Sequence, residues 1–288
     1  MNNSNKTKTI VVLLGNARGG EQTWSSMYKF LLEPMSADLA LLFGDNENKE
    51  TSLYKKAKYK WILNEYSNWR EYYEKNVNGD WYKTFKFFEE YTLGGGVDNF
   101  KGSGAIIFAF RHFLKNNFKN ELLKYDRIIL TRSDYYYIDY HPKLPNDSFY
   151  ILEGEGYTGF TDRHHIFTKD MIDDVLGIVE YLSDKKNSNE LIKKYYHTKA
   201  VNPERALFEF FHHNGIINKI KYCKRVQFVV SKNDKTRWRS PDGLMLGSKY
   251  LRIKYPQEYY KALKNKYGNL TGSILRVFYN IRKKFIRF

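Results

Sequence analysis

Short apolar runs separated by stretches of helical period dominate the first 230 residues. Residues 9–14 (TIVVLL) form a β-rich run with no polar alternation, the pattern of a strand buried on both faces. The glycine loop 15–20 follows. Then Trp24, Met27, Tyr28, Leu31 and Leu32 recur at helical spacing, and Pro34 predicts the helix end. Residues 37–44 (ADLALLFG) read as a second buried strand, and residues 45–101 as largely helical. Glycines at 94–96, 102 and 104 bracket a loop before a helix over 105–118. Residues 125–130 (YDRIIL) predict the central strand, and residues 148–152 and 163–167 two more, with a glycine-rich loop over 153–161 between them. Ile172, Val175, Leu176, Val179 and Leu182 share one face of a helix over 170–182. Asn202 caps a helix that Pro203 opens and that runs through Phe211. Strands over 217–222 and 226–230 close the list. Strand, glycine loop, helix, strand is the opening of an α/β sheet. The expected fold is therefore a Rossmann-type central sheet flanked by helices, with a basic helical C-terminal extension.

Charge changes the picture at one end. The chain of 288 residues has a net charge of +16. Residues 1–216 hold 29 basic and 29 acidic side chains, whereas residues 217–288 hold 19 and 3. A neutral body with a cationic end argues against a nucleic-acid binder that uses its whole surface. One cysteine, Cys223, excludes a disulfide framework and a multi-cysteine zinc site. No run of 18 apolar residues occurs, and the apolar segment after the polar start is too short for a signal peptide. The expectation is a cytoplasmic protein, peripheral on a membrane surface through its basic end.

Four constellations carry candidate chemistry. Gly15, Asn16 and Arg18 lie in the loop between the first strand and helix, where backbone N–H groups and an arginine can meet a diphosphate; a turn that needs glycine torsions is the bland alternative. Arg132-Ser133-Asp134 ends the central strand, where a carboxylate can hold Mg²⁺ or Mn²⁺ against substrate phosphates, or can simply close a salt-bridged turn. In residues 153–165, Tyr157 and Phe160 offer faces to sugar rings, and Asp162 a general base. His164 and His165 are adjacent, so their side chains diverge; a buried, hydrogen-bonded histidine is favoured over a metal pair. Glu204 stands in the first turn of a helix, either as a dipole partner or as a base.

The stretches VVLLGNARGGEQTWSSMYKFLLEP, GSGAIIFAFRHFL, YDRIILTRSDYYY, GEGYTGFTDRHHIFTKDMI and NPERALFEFF together resemble the GT-A type nucleotide-sugar glycosyltransferases. The nearer resemblance is to the bacterial and viral kind that builds polysaccharide, lipopolysaccharide or capsid glycans. It spans about residues 9–245, which implies a GT-A-like catalytic domain over 1–245 and a basic extension over 246–288. It implies transfer of a hexosyl or deoxyhexosyl group from a nucleoside-diphosphate sugar, such as a UDP-sugar, to a hydroxyl of a glycan or lipid-linked acceptor. By the same resemblance Gly15, Asn16, Arg18, Ser103, Arg111, Arg132 and Asp134 hold the donor. Asp134 takes the place of the last aspartate of the Asp-x-Asp metal motif, whose first aspartate is here Arg132. Asp162 or Glu204 is the base if transfer inverts the anomeric centre, whereas a retaining transfer needs none; Tyr157, Phe160, Arg163 and His164 face the acceptor, while the tyrosines at 135–137 help shape the sugar pockets.

From Leu270, apolar residues recur at 274, 278, 281, 285 and 288, with Arg276, Arg282, Lys283, Lys284 and Arg287 between them. This predicts a basic amphipathic helix for an anionic membrane surface. Arg237, Arg239 and Lys249 are further candidates to close over the donor diphosphate. Two rival functions remain open: a non-catalytic binder of anionic polymers, nucleic acid or polysaccharide, through the basic quarter, and a transferase homologue without activity.

Overall fold

The computed structural model describes residues 7–89, 92–100, 102–154, 156–232, 243–244 and 251–285. Among them the strands are β1 (Thr9–Gly15), β2 (Asp38–Phe43), β3 (Tyr59–Ile62), β4 (Arg127–Thr131), β5 (Tyr135–Tyr137), β6 (Phe149–Leu152), β7 (His165–Thr168), β8 (Ile220–Cys223), β9 (Gln227–Ser231), β10 (Gly243–Leu244) and β11 (Arg252–Ile253). Four helices frame the site: α1 (Glu21–Met27), α2 (Gly104–Leu122), α3 (Pro203–His213) and α4 (Pro256–Phe285). The fold is mixed α/β. A seven-stranded sheet runs β3-β2-β1-β4-β7-β6-β8, and a four-stranded one runs β10-β11-β9-β5.

In the large sheet β1 pairs parallel with β2 and β4, and β7 lies antiparallel to β4. Side chains alternate across a strand, so each strand feeds both faces. Ile10, Val12, Leu42, Ile128 and Leu130 pack with Ala105 and Phe108 of α2. Val11, Leu13, Leu41, Phe43 and Ile129 pack on the other side with Trp24, Met27 and Leu31. Both faces are covered, which is why these strands read as unbroken apolar runs. Each such side chain contributes about 1.5–3 kcal/mol of burial.

Three local expectations differ from the structure. Pro34 does not end the first helix. The chain passes from α1 into a π turn over Tyr28–Leu32, continues through Glu33–Met35 and stops at Ser36 in the left-handed region (φ 48°). Pro34 lies at the start of that last segment, where its missing N–H costs no hydrogen bond. Among the described residues, 45–101 hold three short helices, Ser52–Lys56, Arg70–Asn76 and Trp81–Phe87, a 3-10 turn over Thr92–Gly94 and the edge strand β3. In β3 only Trp61 is buried, so its sequence lacks the apolar run of an inner strand. The helix expected over 170–182 is split at Gly177, where a Cβ would meet the Asp173 carbonyl at 2.7 Å.

The extension is tied to the body. Leu251, Ile253, Tyr259, Ala262 and Leu263 share a cluster with Phe228 and Val230 of β9. The helix begins at Pro256, earlier than expected, and is interrupted at Gly268 (φ 81°). Ile274 and Val277 are exposed; the other side chains of the expected amphipathic face lie outside the described residues, as do Arg237, Arg239 and Lys249. No helix among the described residues is long and apolar enough to cross a membrane.

Candidate active site at the strand ends

Parallel pairing of β1 with β4 sets Leu13 beside Thr131, so the loops that follow the two strands emerge side by side. Gly15, Gly19 and Gly20 all have positive φ (107°, 84° and 80°), a conformation that favours glycine and lets the first loop curl over the sheet edge. Ser133 joins the two loops. Its hydroxyl donates to the Asn16 carbonyl (2.6 Å) and accepts from the Arg18 N–H (2.9 Å). The Trp24 indole donates to the Arg18 carbonyl (2.8 Å). Arg18 is therefore fixed by its backbone, while its guanidinium has no hydrogen bond or ion pair among the described residues.

These loops border a cavity of about 520 Å³. Gly15, Asn16, Arg18, Ser103, Arg111, Arg132, Asp134, Asp162 and Arg163, all expected from sequence, line it. Sequence reasoning missed Glu65, Tyr66, Trp69, Ile106, Phe110 and Lys254. Glu65 and its neighbours follow β3, the strand hidden in the stretch read as helical. Its carboxylate accepts from the Asn16 amide (3.0 Å), and Gly44 gives it room, since a Cβ there would meet Glu65 Oε1 at 2.3 Å. The lining thus combines cations (Arg18, Arg111, Arg132, Arg163 and Lys254), apolar side chains (Trp69, Ile106 and Phe110) and the carboxylates of Glu65, Asp134 and Asp162.

Arg132 and Asp134 form a bidentate ion pair. Asp134 is buried, which alone pushes its pKa up; the Arg132 charge and hydrogen bonds outweigh this and hold it below the ordinary value. Arg18 and Lys254 add positive charge from further off. Both carboxylate oxygens are thus engaged and the surroundings are cationic, so the residues at Asp134 do not fit a divalent cation. No group of three or more His, Cys, Asp or Glu side chains among the described residues is placed to hold one. This pair holds the carboxylate on which Mn²⁺ or Mg²⁺ was expected. The arginine in the first motif position turns its aspartate into a salt-bridge partner.

Asp162 and Glu204 come together from distant sequence. The loop before Asp162 docks on the start of α3. Phe160 N–H donates to the Glu204 carbonyl (3.0 Å), and a Cβ on Gly159 would stand 1.9 Å from that same oxygen. Asn202 caps the helix by accepting from Arg205 N–H (2.8 Å), and its amide donates to the Tyr157 carbonyl (2.9 Å). Burial, with the Asp162 charge second, pushes Glu204 up to about 8. Asp162 lines the cavity; Glu204 does not, but feels the Asp162 charge. Arg111 donates to the Asp162 carbonyl (2.8 Å) and to His165 Nδ1 (3.2 Å). Burial lowers its pKa to about 10.

The acceptor residues divide. Arg163 lines the cavity, binds Glu258 of α4 (2.7 Å) and lies over the Tyr255 ring (4.5 Å). Tyr157 is 47% exposed, outside the cavity lining. Phe160 and His164 do not fit acceptor contact. Phe160 packs against Phe208 and Phe211 of α3, and His164 is wholly buried. His141 Nδ1–H donates to the Pro142 carbonyl (3.0 Å), so its Nε2 accepts from His164 (3.2 Å), whose Nδ1 in turn accepts from the Thr131 hydroxyl (2.8 Å). Burial lowers the pKa of both rings. His165 points to the opposite side of β7, donating to the Thr161 carbonyl (2.6 Å). Tyr135 and Tyr137 are likewise core residues and shape no sugar pocket.

No family model matches the chain, and no curated protein shows significant similarity to it. Among solved structures it is similar to the apo form of mouse xyloside xylosyltransferase 1, a glycosyltransferase. The match has a TM-score of 0.41 and 11% identity, and covers 76% of this chain and 85% of that one. At that TM-score the likeness carries no argument about fold or activity.

Proposed function

We propose that the chain is a glycosyltransferase that moves a sugar, hexosyl or deoxyhexosyl, from a nucleoside-diphosphate sugar to a hydroxyl of a glycan or lipid-linked acceptor. One observation carries this reading: a cavity at the C-terminal ends of β1 and β4 is lined by Arg18 and Lys254, cations unpaired among the described residues, together with the Asp162 carboxylate, whose charge acts on Glu204. Ligands of α/β sheets bind at such strand ends. The cations suit the diphosphate, the apolar side chains the flat parts of the donor, and Asp162 the acceptor hydroxyl.

Asp162 takes the acceptor proton as the acceptor oxygen attacks the anomeric carbon, and the electron pair of the breaking C–O bond leaves with the diphosphate. Glu204, held largely protonated below pH 8, adds no second negative charge beside the base. Arg163, fixed by Glu258, borders the acceptor side. Polysaccharide or lipopolysaccharide assembly at the cytoplasmic face of a membrane is the setting this chemistry suits.

The test incubates the full chain with UDP-, GDP- and TDP-sugars and lipid-linked or oligosaccharide acceptors, and reads nucleoside diphosphate release with product mass. At least one donor is expected to turn over, and Asp162→Asn to abolish transfer in a folded protein. Full transfer by Asp162→Asn would remove it as the base.

A further inference from the structure

Lys254 follows β11 in the basic extension, yet its side chain lines the cavity and the residue is only 5% exposed. Its backbone is fixed: Lys254 N–H donates to the Val229 carbonyl (3.1 Å), and Ile253 pairs with Val230. Its ammonium has no hydrogen bond or ion pair among the described residues, only a distant contact with the Tyr255 ring (5.5 Å). The charged groups that act on it are Arg132, Asp134, Arg18 and Arg163. Asp134 is already held by Arg132, and Arg163 by Glu258.

An unpaired buried cation is costly, and one beside further cations more so. Burial, then repulsion from those arginines, lowers the Lys254 pKa to about 8. Arg18, Arg132 and Lys254 set against Asp134 leave an excess of two positive charges. That excess matches the diphosphate diester of a sugar donor, which carries one negative charge on each phosphate.

We infer that Arg18 and Lys254, with Arg132 braced by Asp134, form a metal-free clasp that binds the donor diphosphate and stabilises it as a leaving group. The clasp deepens the glycosyltransferase reading and rests on it. During transfer the acceptor oxygen bonds to the anomeric carbon and its proton passes to Asp162. The electron pair of the severed C–O bond stays on the outer phosphate, which gains one negative charge. Cations already in place bind that product charge more strongly than the ground state, so they lower the barrier without a Lewis acid. The clasp also gives the C-terminal segment a part in the site: one jaw follows β1, the other lies some 235 residues later in the chain.

Calorimetric titration of UDP, GDP, TDP and inorganic diphosphate into the full chain, in EDTA and again with Mn²⁺ or Mg²⁺, tests this. At least one nucleoside diphosphate is expected to bind in EDTA, with its Kd changed less than about threefold by metal. Lys254→Met is expected to weaken it by about thirtyfold or more, Lys254→Arg to restore most of it, and Lys169→Met, at the exposed Asp126 pair, to change nothing. Without ligand, Lys254→Met is expected to melt no lower than the parent, because it removes an unpaired charge. Binding that appears only with metal overturns the clasp and leaves the transferase reading standing. Binding by Lys254→Met at parental strength overturns the role of Lys254. Failure of every nucleoside diphosphate to bind in either condition overturns both readings. Should Lys254→Met not fold, Lys254→Gln and the comparison of EDTA with metal on the parent chain decide alone.

Discussion

Arg132 donates through Nε to one oxygen of Asp134 (2.7 Å) and through Nη2 to the other (2.6 Å), so two residues from one turn close on each other at the mouth of β4. The Asp134 side chain is 4% exposed and that of Arg132 27%. Removing one member of so buried a pair leaves the other charge uncompensated, at a cost of about 3 kcal/mol. Asp134→Asn is therefore expected to lose about that much stability at pH 7 in urea unfolding. Because the folded-state pKa of Asp134 lies below the ordinary value, its contribution is full above the carboxylate range and is lost as pH falls through the lowered pKa. The gap between parent and variant should narrow toward pH 3. An unchanged unfolding midpoint at pH 7 would show that the pair does not hold the turn.

Glu204 supplies the opposite sign. Its folded-state pKa of about 8 stands above the ordinary 4.5, so between those values the folded chain keeps a proton that the unfolded chain has released. Stability contributed by this group is full below pH 4.5 and falls as pH rises to about 8, by up to about 5 kcal/mol. Glu204→Gln cannot ionise and escapes that loss. Its stability relative to the parent is expected to rise from pH 5 to pH 8 and then level off. A difference independent of pH would contradict the raised pKa. Asp162→Asn removes the like charge next to it, so the Glu204 titration followed by carbon NMR should move down, while transfer falls by about 10²–10⁴-fold.

Much of this arrangement was legible in the sequence because strand ends leave local marks. The apolar runs that become β1, β2 and β4 stand out, and the glycine loop and Arg132-Ser133-Asp134 follow at once, so nine expected residues line one cavity. What failed was tertiary. β3 is an edge strand with one buried side chain and carries no strand signature, so Glu65 and Trp69 could not be placed. Phe160 and His164 are buried by α3 and by His141, partners about 45 and 23 residues away. Lys254 sits among basic residues that look solvated in sequence; its burial comes from β9 and the start of α4, which the pattern of charges does not report.

Gly159 offers a test of how Asp162 is aimed. The loop lies so close to α3 that a Cβ on Gly159 would approach the Glu204 carbonyl oxygen to 1.9 Å and the Arg205 nitrogen to 2.6 Å, both backbone atoms. Neither can rotate away, so Gly159→Ala must push the loop off the helix, at a cost of about 3 kcal/mol. The shift breaks the Phe160 N–H bond to Glu204 and moves Asp162, two residues further on. Turnover is expected to fall at least tenfold while nucleoside diphosphate affinity, set by Arg18 and Lys254, stays within about threefold. A proportional loss of both would mean that the substitution acts on the whole fold.

The C-terminal helix divides at Gly268, and the two parts call for different experiments. Before the break, Glu258 is 2% exposed and binds Arg163 at 2.7 Å, Arg225 at 3.5 Å and the Val229 N–H at 2.8 Å. Asn265 donates to Glu153 and to the Arg225 carbonyl. Glu258→Gln removes the carboxylate charge that Arg163 and Arg225 share and is expected to cost about 3–5 kcal/mol. A chain ending at residue 269 keeps all of these contacts, so it should unfold at nearly the parental urea midpoint and bind nucleoside diphosphate as the parent does. What it loses is a run with five basic side chains and no acid, each basic residue worth about 1 kcal/mol near an anionic leaflet. Flotation with phosphatidylserine or phosphatidylglycerol vesicles at low salt is expected to carry the full chain and leave the truncated one behind. Equal flotation of the two would assign membrane binding elsewhere, and the basic end would then need another partner to account for its charge.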